Sequence, residues 1–215
     1  FDPHVERTRL RPLPTKAISV KNAFLILVCL VVPCLFLVLT LNTSTVILSF
    51  GALAIMSAYP FMKRYTHFPQ AILGIAFSWG IPMAFSAGGG SLDATMWLLL
   101  AANWAWVIAY DTQYAMVDKD DDIKLGLKST AIIFGKFSRL IIGVLQFFCL
   151  GVLTLLGTSH EFGMVYQIAI FGAGLFFLYQ HFLLSKATRG NYFAAFLNNH
   201  WVGFFIFLGI CGNFL

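Results

Sequence analysis

Residues Asp111–Gly135, DTQYAMVDKDDDIKLGLKSTAIIFG, decide how this chain is read. The stretch holds five of the nine acidic residues of a 215-residue protein. One apolar span leads into it and another leads out. Asp111, Asp118 and Asp122 are separated by seven and four residues. At about 100° per residue, those steps bring all three carboxylates within roughly 20° of one helix face. Carboxylates at a membrane edge are costly unless they hold something positive. The identity of that positive partner is the functional question.

The composition around the stretch is that of an integral membrane protein. It is 59% hydrophobic and 11% charged, where a soluble domain carries about 25% charged residues. Seven apolar spans stand out, near 22–41, 45–62, 68–87, 94–110, 139–157, 163–184 and 199–215. Each approaches the ~20 residues a helix needs to cross a ~30 Å hydrocarbon core. Helices satisfy their own backbone there, so the expected fold is all-α: a polytopic bundle of transmembrane helices. The opening FDPHVERTRLRPLPTK is polar and does not read as a secretory signal peptide. Cys29, Cys34, Cys149 and Cys211 lie singly in apolar runs, which points to packing rather than to disulfides or zinc.

The net charge of +5 is a topology signal, not a nucleic-acid signal. All 14 Lys and Arg fall before span one or in the connections after spans two, four and six. The opposite connections, 42–44, 88–93 and 158–162, contain none. The positive-inside rule makes the basic side cytoplasmic and puts the C-terminus on the far side. Seven of the nine acidic residues share that basic side, so any chemistry is expected there.

Three groups of residues could carry it. Asp118 and Asp122 stand one helical turn apart and can face one hard cation. Magnesium suits them, being held by one or two carboxylates plus substrate phosphates. The plainer reading is a solvated acidic loop paired with Lys119 and Lys124. Asp120 points elsewhere and reads as solvated. In the second group, Tyr59 and Lys63 sit at i, i+4 beside Arg64, a set suited to an anionic phosphate or carboxylate. Its plainer reading is a set of interfacial anchors. The third is the N-terminal segment, with Asp2 and Glu6 at i, i+4 followed by Arg7 and Arg11; anionic lipid heads would also suit it. The many aromatics could line a cleft for an isoprenoid tail and face a carbocation. The histidines show no pairing suited to haem.

The string YDTQYAMVDKDDDIKLGLKSTAIIFGK resembles the second aspartate-rich motif of the UbiA superfamily of intramembrane prenyltransferases. SAYPFMKRYTHFPQ resembles that family's YxxxK segment, and FDPHVERTRLRPLP the trailing end of its first motif, NxxxDxxxD followed by RTxxRPL. The likeness covers essentially the whole chain, read as one prenyltransferase domain over 1–215. It is closest to the members that act on 4-hydroxybenzoate. The family pattern implies about nine helices and an Asn and an Asp ahead of Asp2, so the chain reads as N-terminally truncated. The expectation is that the 215-residue polypeptide alone is inactive, which measurable prenyl transfer by it would refute.

The resemblance implies transfer of a polyprenyl group from its diphosphate to 4-hydroxybenzoate, ortho to the hydroxyl, in ubiquinone biosynthesis. It implies Mg²⁺ held by Asp2, Asp118 and Asp122. Tyr59, Lys63 and Lys128 are expected to contact phosphate, and Asp111 to orient or deprotonate the phenol. Arg64 is expected to meet the benzoate carboxylate, with Arg7 and Arg11 as rivals. A bacterial inner membrane with a cytoplasmic site is the implied location. Other acceptors (homogentisate, naphthoate, haem) remain open within the family. A cation or metabolite transporter is the reading from another class. It is disfavoured because the spans are nearly free of charge away from one end.

Overall fold

The computed structural model describes residues 8–214, which contain helices and no strand. The N-terminal segment leads into α1 (Val20–Leu39), capped by the Ser19 hydroxyl accepting from the Asn22 N–H. The chain returns through α2 (Thr43–Ala58). Pro60 cannot continue the α-helical ladder, so a 3-10 turn over Tyr59–Phe61 follows before the short α3 (Met62–Tyr65). The third pass is broken into α4 (Pro69–Ser78) and α5 (Gly80–Ala87). Pro82 has no N–H to offer the Ser78 carbonyl, which accounts for the break. Trp79 at that break donates its indole N–H to the Leu48 carbonyl at 2.8 Å and ties the pass to α2.

The fourth pass, α6 (Ala94–Lys124), organises the bundle. It starts where Asp93 accepts from the Met96 N–H. That backbone donor holds the Asp93 carboxyl below its usual range. At 31 residues it is about 46 Å long, more than the ~30 Å of a hydrocarbon core. Its last turns therefore project past the apolar layer as a continuation of the same helix. Asp111–Lys124 is thus a helix end rather than part of a connection. The end is a Schellman cap: the Gly126 N–H reaches the Ile123 carbonyl and the Leu127 N–H reaches the Asp122 carbonyl. Gly126 sits at φ +66°, which an L side chain resists.

After α7 (Thr130–Phe134) come α8 (Ser138–Ser159), α9 (Met164–Ser185) and α10 (Arg189–Asn213). α6 packs against α4, α8 and α10, and α9 against α10. The α9–α10 approach is close enough that a Cβ on Gly209 would lie 2.5 Å from that of Ala169. Among the described residues six passes are long and apolar enough to cross a membrane. The seventh, α6, is diluted by Asn103, Trp104, Trp106 and Tyr110, and it turns much of its surface to protein rather than lipid. The chain is a multi-pass, all-helical membrane bundle.

One span begins earlier than its apolar run indicates. The expected start near 199 becomes Arg189, because Thr188 caps the helix and Asn191, Asn198, Asn199 and His200 lie inside it. Passes alternate in direction, so every described Lys and Arg lies at one end of the bundle. Cross-pass contacts agree: Asn42 meets Ser86, Thr95 meets His160 and Gly163 meets Asn213 at the other end.

Candidate active site

At the basic end a hollow of about 380 Å³ opens between α2–α3, α4, α6 and the N-terminal segment. It is lined by Arg11, Tyr59, Lys63, Arg64, Asp111, Asp118 and Asp122, together with Thr8, Gln70 and Tyr114. Two larger hollows lie along α8 and α9, but they are walled mainly by apolar side chains. Of these three hollows among the described residues, carboxylates and cations converge in the one at α6.

Helix geometry delivers the acidic side. Asp118 is 4% exposed and Asp122 1%, one turn apart on the face of α6 that meets α4. Pro60 delivers the basic side. The tight turn it forces brings Tyr59, Lys63 and Arg64 to the same hollow. The Lys63 ammonium donates to both Asp122 oxygens, at 3.1 and 3.3 Å. Burial pushes the Asp122 carboxyl above its usual range, and Lys63 pulls it partly back. A buried carboxylate of this kind is stable only while positive charge stays beside it.

The other acidic residues of the motif face away. Asp120 and Asp121 each contact Arg189 at the start of α10, at 3.4 Å, and Lys124 lies 3.9 Å from Asp121. Asp120 is an exposed surface residue with a distant partner, in line with its expected solvated role. The solvated reading therefore describes Asp120 alone: Asp121 is largely covered at 14% exposure, and Asp118 and Asp122 are buried.

Lys128 stands apart from the expected set. Its ammonium donates to the Tyr65 carbonyl at 3.2 Å and its backbone N–H to the Lys63 carbonyl at 2.9 Å, and it does not line the hollow. It braces the turn that carries Lys63, because the Schellman cap returns the chain across α3. Asp2 and Arg7 lie outside the described residues.

Three more lining residues lie inside the quoted strings but outside the three groups of candidate residues. Tyr114 lies three residues after Asp111 and four before Asp118, so the 3.6 period already placed it on the carboxylate face. Its ring centroid is 4.6 Å from that of Phe196, which braces Tyr114 against α10. Gln70 is buried and accepts from the Thr130 N–H at 3.0 Å, fixing α7 to α4. Thr8, the threonine of the RTxxRPL string, is buried against the hollow.

For a metal, the donor set is oxygen only. Asp118 and Asp122 can supply two carboxylates, and no group of three or more potential ligands occurs among the described residues. That fits a hard divalent cation completing its shell with substrate phosphate and water, and it does not fit a site built wholly from protein.

Comparisons with known proteins bear on the family and the fold. Residues 1–209 match the model of the UbiA prenyltransferase family. The chain is 50% identical over 214 residues to the 4-hydroxybenzoate octaprenyltransferases of Salmonella paratyphi B and Salmonella enteritidis, which covers all of this chain and 74% of each relative. Its fold superposes on the apo structure of a UbiA homolog from Aeropyrum pernix K1 with a TM-score of 0.87 at 25% identity, covering 100% of this chain and 80% of that one. With the carboxylate hollow in place and the match running through nearly every helix, the chain belongs to the UbiA prenyltransferase family.

Proposed function

We propose that this protein transfers a polyprenyl group from its diphosphate to 4-hydroxybenzoate, in ubiquinone biosynthesis, at the cytoplasmic face of a bacterial inner membrane. The observation that carries the reading is the pair of buried carboxylates, Asp118 and Asp122, facing Lys63, Arg64 and Arg11 in one hollow at the basic end. The relatives' name supplies the acceptor and the polyprenyl class of donor.

In this reading Asp118 and Asp122 hold Mg²⁺, with Asp2 joining them. Bound there, the metal neutralises diphosphate charge and eases departure of the leaving group. Lys63 turns from Asp122 to a phosphate oxygen, and Tyr59 adds a hydroxyl donor. The allylic C–O bond breaks, and the diphosphate leaves with the electron pair. The ring carbon ortho to the acceptor's hydroxyl then forms the new C–C bond, and that carbon loses its proton. Asp111, apart from the Asp118–Asp122 pair, orients the phenol, takes up its proton as the ring attacks and returns it to the oxygen, so the one net proton released is the ring carbon's, taken up by solvent. Arg64 forks onto the benzoate carboxylate, with Arg11 and Arg7 as the alternatives. The Tyr114 ring, which lines the hollow, offers its π face to the developing cation.

The test uses protein expressed from its complete reading frame. It is assayed for prenyl transfer with 4-hydroxybenzoate, homogentisate and a naphthoate in competition, with and without Mg²⁺. Preference for 4-hydroxybenzoate and loss of turnover on chelation are expected. Equal use of the three acceptors would remove the substrate assignment, and full activity in chelator would remove the metal.

A further inference from the structure

The two hollows along α8 and α9 join into one groove, because they share Gly143, Phe147 and His181. Their volumes are about 570 and about 520 Å³. The floor exists because Gly143 and Gly174 carry no side chain where the two helices face each other. The walls are almost wholly apolar and lead as far as Thr154. At the other end stand two cations, Lys136 and Arg139. Both are exposed, and no ion pair among the described residues involves either. The nearest aromatic partner of Lys136 is the Phe137 ring, 5.2 Å away. The groove therefore has a charged mouth at the basic end of the bundle and an apolar shaft.

The length of the shaft is informative. From Gly143 to Thr154 is 11 residues of α8, about 16 Å at 1.5 Å per residue. Half of a ~30 Å hydrocarbon core is about 15 Å, so the shaft matches the acyl depth of one leaflet. Lys136 and Arg139 lie one to two turns above it, at headgroup height. The geometry points to a binding site for an anionic phospholipid, with one acyl chain in the shaft and its phosphate between Lys136 and Arg139. Charge complementarity selects the headgroup, since a zwitterionic lipid brings its own cation to the same place. The site lies on the far side of α6 from the carboxylate hollow and does not depend on prenyl transfer.

Native mass spectrometry of the purified full-length protein, titrated with phosphatidylglycerol or phosphatidylcholine, tests this. Two attached cations near the surface predict tighter binding of phosphatidylglycerol by on the order of tenfold. The double variant Lys136→Gln/Arg139→Gln is expected to abolish that preference while still binding both lipids. Gly174→Ile is expected to weaken both lipids together. An added Cβ at Gly174 meets only Leu150 Cδ1, at 3.5 Å, an ordinary contact, so the side chain can start into the groove without a clash at its root. A helical far-UV spectrum and a single size-exclusion peak show that each variant is folded. Equal binding of the two lipids by the unaltered protein would overturn the site, as would a preference surviving in the double variant. Full competition by inorganic phosphate would reduce it to a free-anion site. Displacement by farnesyl diphosphate at equal concentration would make it a donor site. Either result ends the phospholipid assignment.

Discussion

Two of the polar systems buried in this bundle are built on opposite principles. The hollow at the basic end concentrates charge: Asp118 and Asp122 against Lys63, with Arg11 and Arg64 beside them. Deeper in the bundle lies a second system with no formally charged member. Trp106 donates to Asn199, Asn199 to Gln113, and Gln113 to Gln180. Gln146 also donates to Gln180, and its own carbonyl lies 3.0 Å from His181. Gln180 in turn donates to Asn198. These side chains come from α6, α8, α9 and α10, and they satisfy one another with protein partners. The difference separates function from architecture. Amides close their hydrogen bonds within the protein and lock four helices together. The carboxylates hold charge next to an open volume, and that arrangement has chemical use only when a ligand enters.

That contrast can be broken at either end. The largest effect is expected in the hollow. Asp118→Asn or Asp122→Asn should lower turnover at least about a hundredfold with little loss of stability, because a neutral amide removes the cost of a buried charge. Retained magnesium-dependent turnover would sink the metal assignment. Arg64→Ala comes next. A lost charge-assisted fork should raise the Michaelis constant for 4-hydroxybenzoate about tenfold and leave that of the prenyl donor nearly unchanged. An equal rise in both would remove the carboxylate role. The amide network should behave in reverse. Gln180→Leu strands donors on Gln113 and Gln146, so it should cost about 2 kcal/mol of stability in detergent unfolding, with turnover per folded molecule preserved. Gly126→Ala should cost about 1 kcal/mol, because φ +66° is strained for alanine although nothing crowds the added methyl. The smallest effect belongs to Arg189→Ala. Its surface contacts to Asp120 and Asp121 are worth at most about 1 kcal/mol, and that small change should vanish in high salt.

The two systems were not equally visible in the chain. Asp118, Asp122 and Lys63 announce themselves because charge is rare in an apolar sequence and the helical period fixes which charges share a face. Tyr59 joins them through its i, i+4 spacing to Lys63. The network escapes such reading. Gln113, Gln146, Gln180 and Asn199 sit in four separate helices, and no local period links residues 34 to 86 positions apart. Arg11 could be named as a candidate, but only folding brings it across to α6. Lys128 shows the converse: its sequence neighbours place it beside the motif, and the Schellman turn directs it to the Tyr65 carbonyl instead.

What the sequence determined by itself is the list of membrane passes, their alternation and the side on which chemistry belongs. Those follow from length, hydropathy and charge counted along the chain, all of which are local quantities. The structure adds that the helix face expected to carry Asp111, Asp118 and Asp122 belongs to α6 itself, which runs unbroken from the apolar layer into the acidic motif. It also decided which carboxylates face Lys63 and which face Arg189, and which glycines open a groove between α8 and α9. Such choices depend on contacts between distant helices, and these exist only once the bundle has packed.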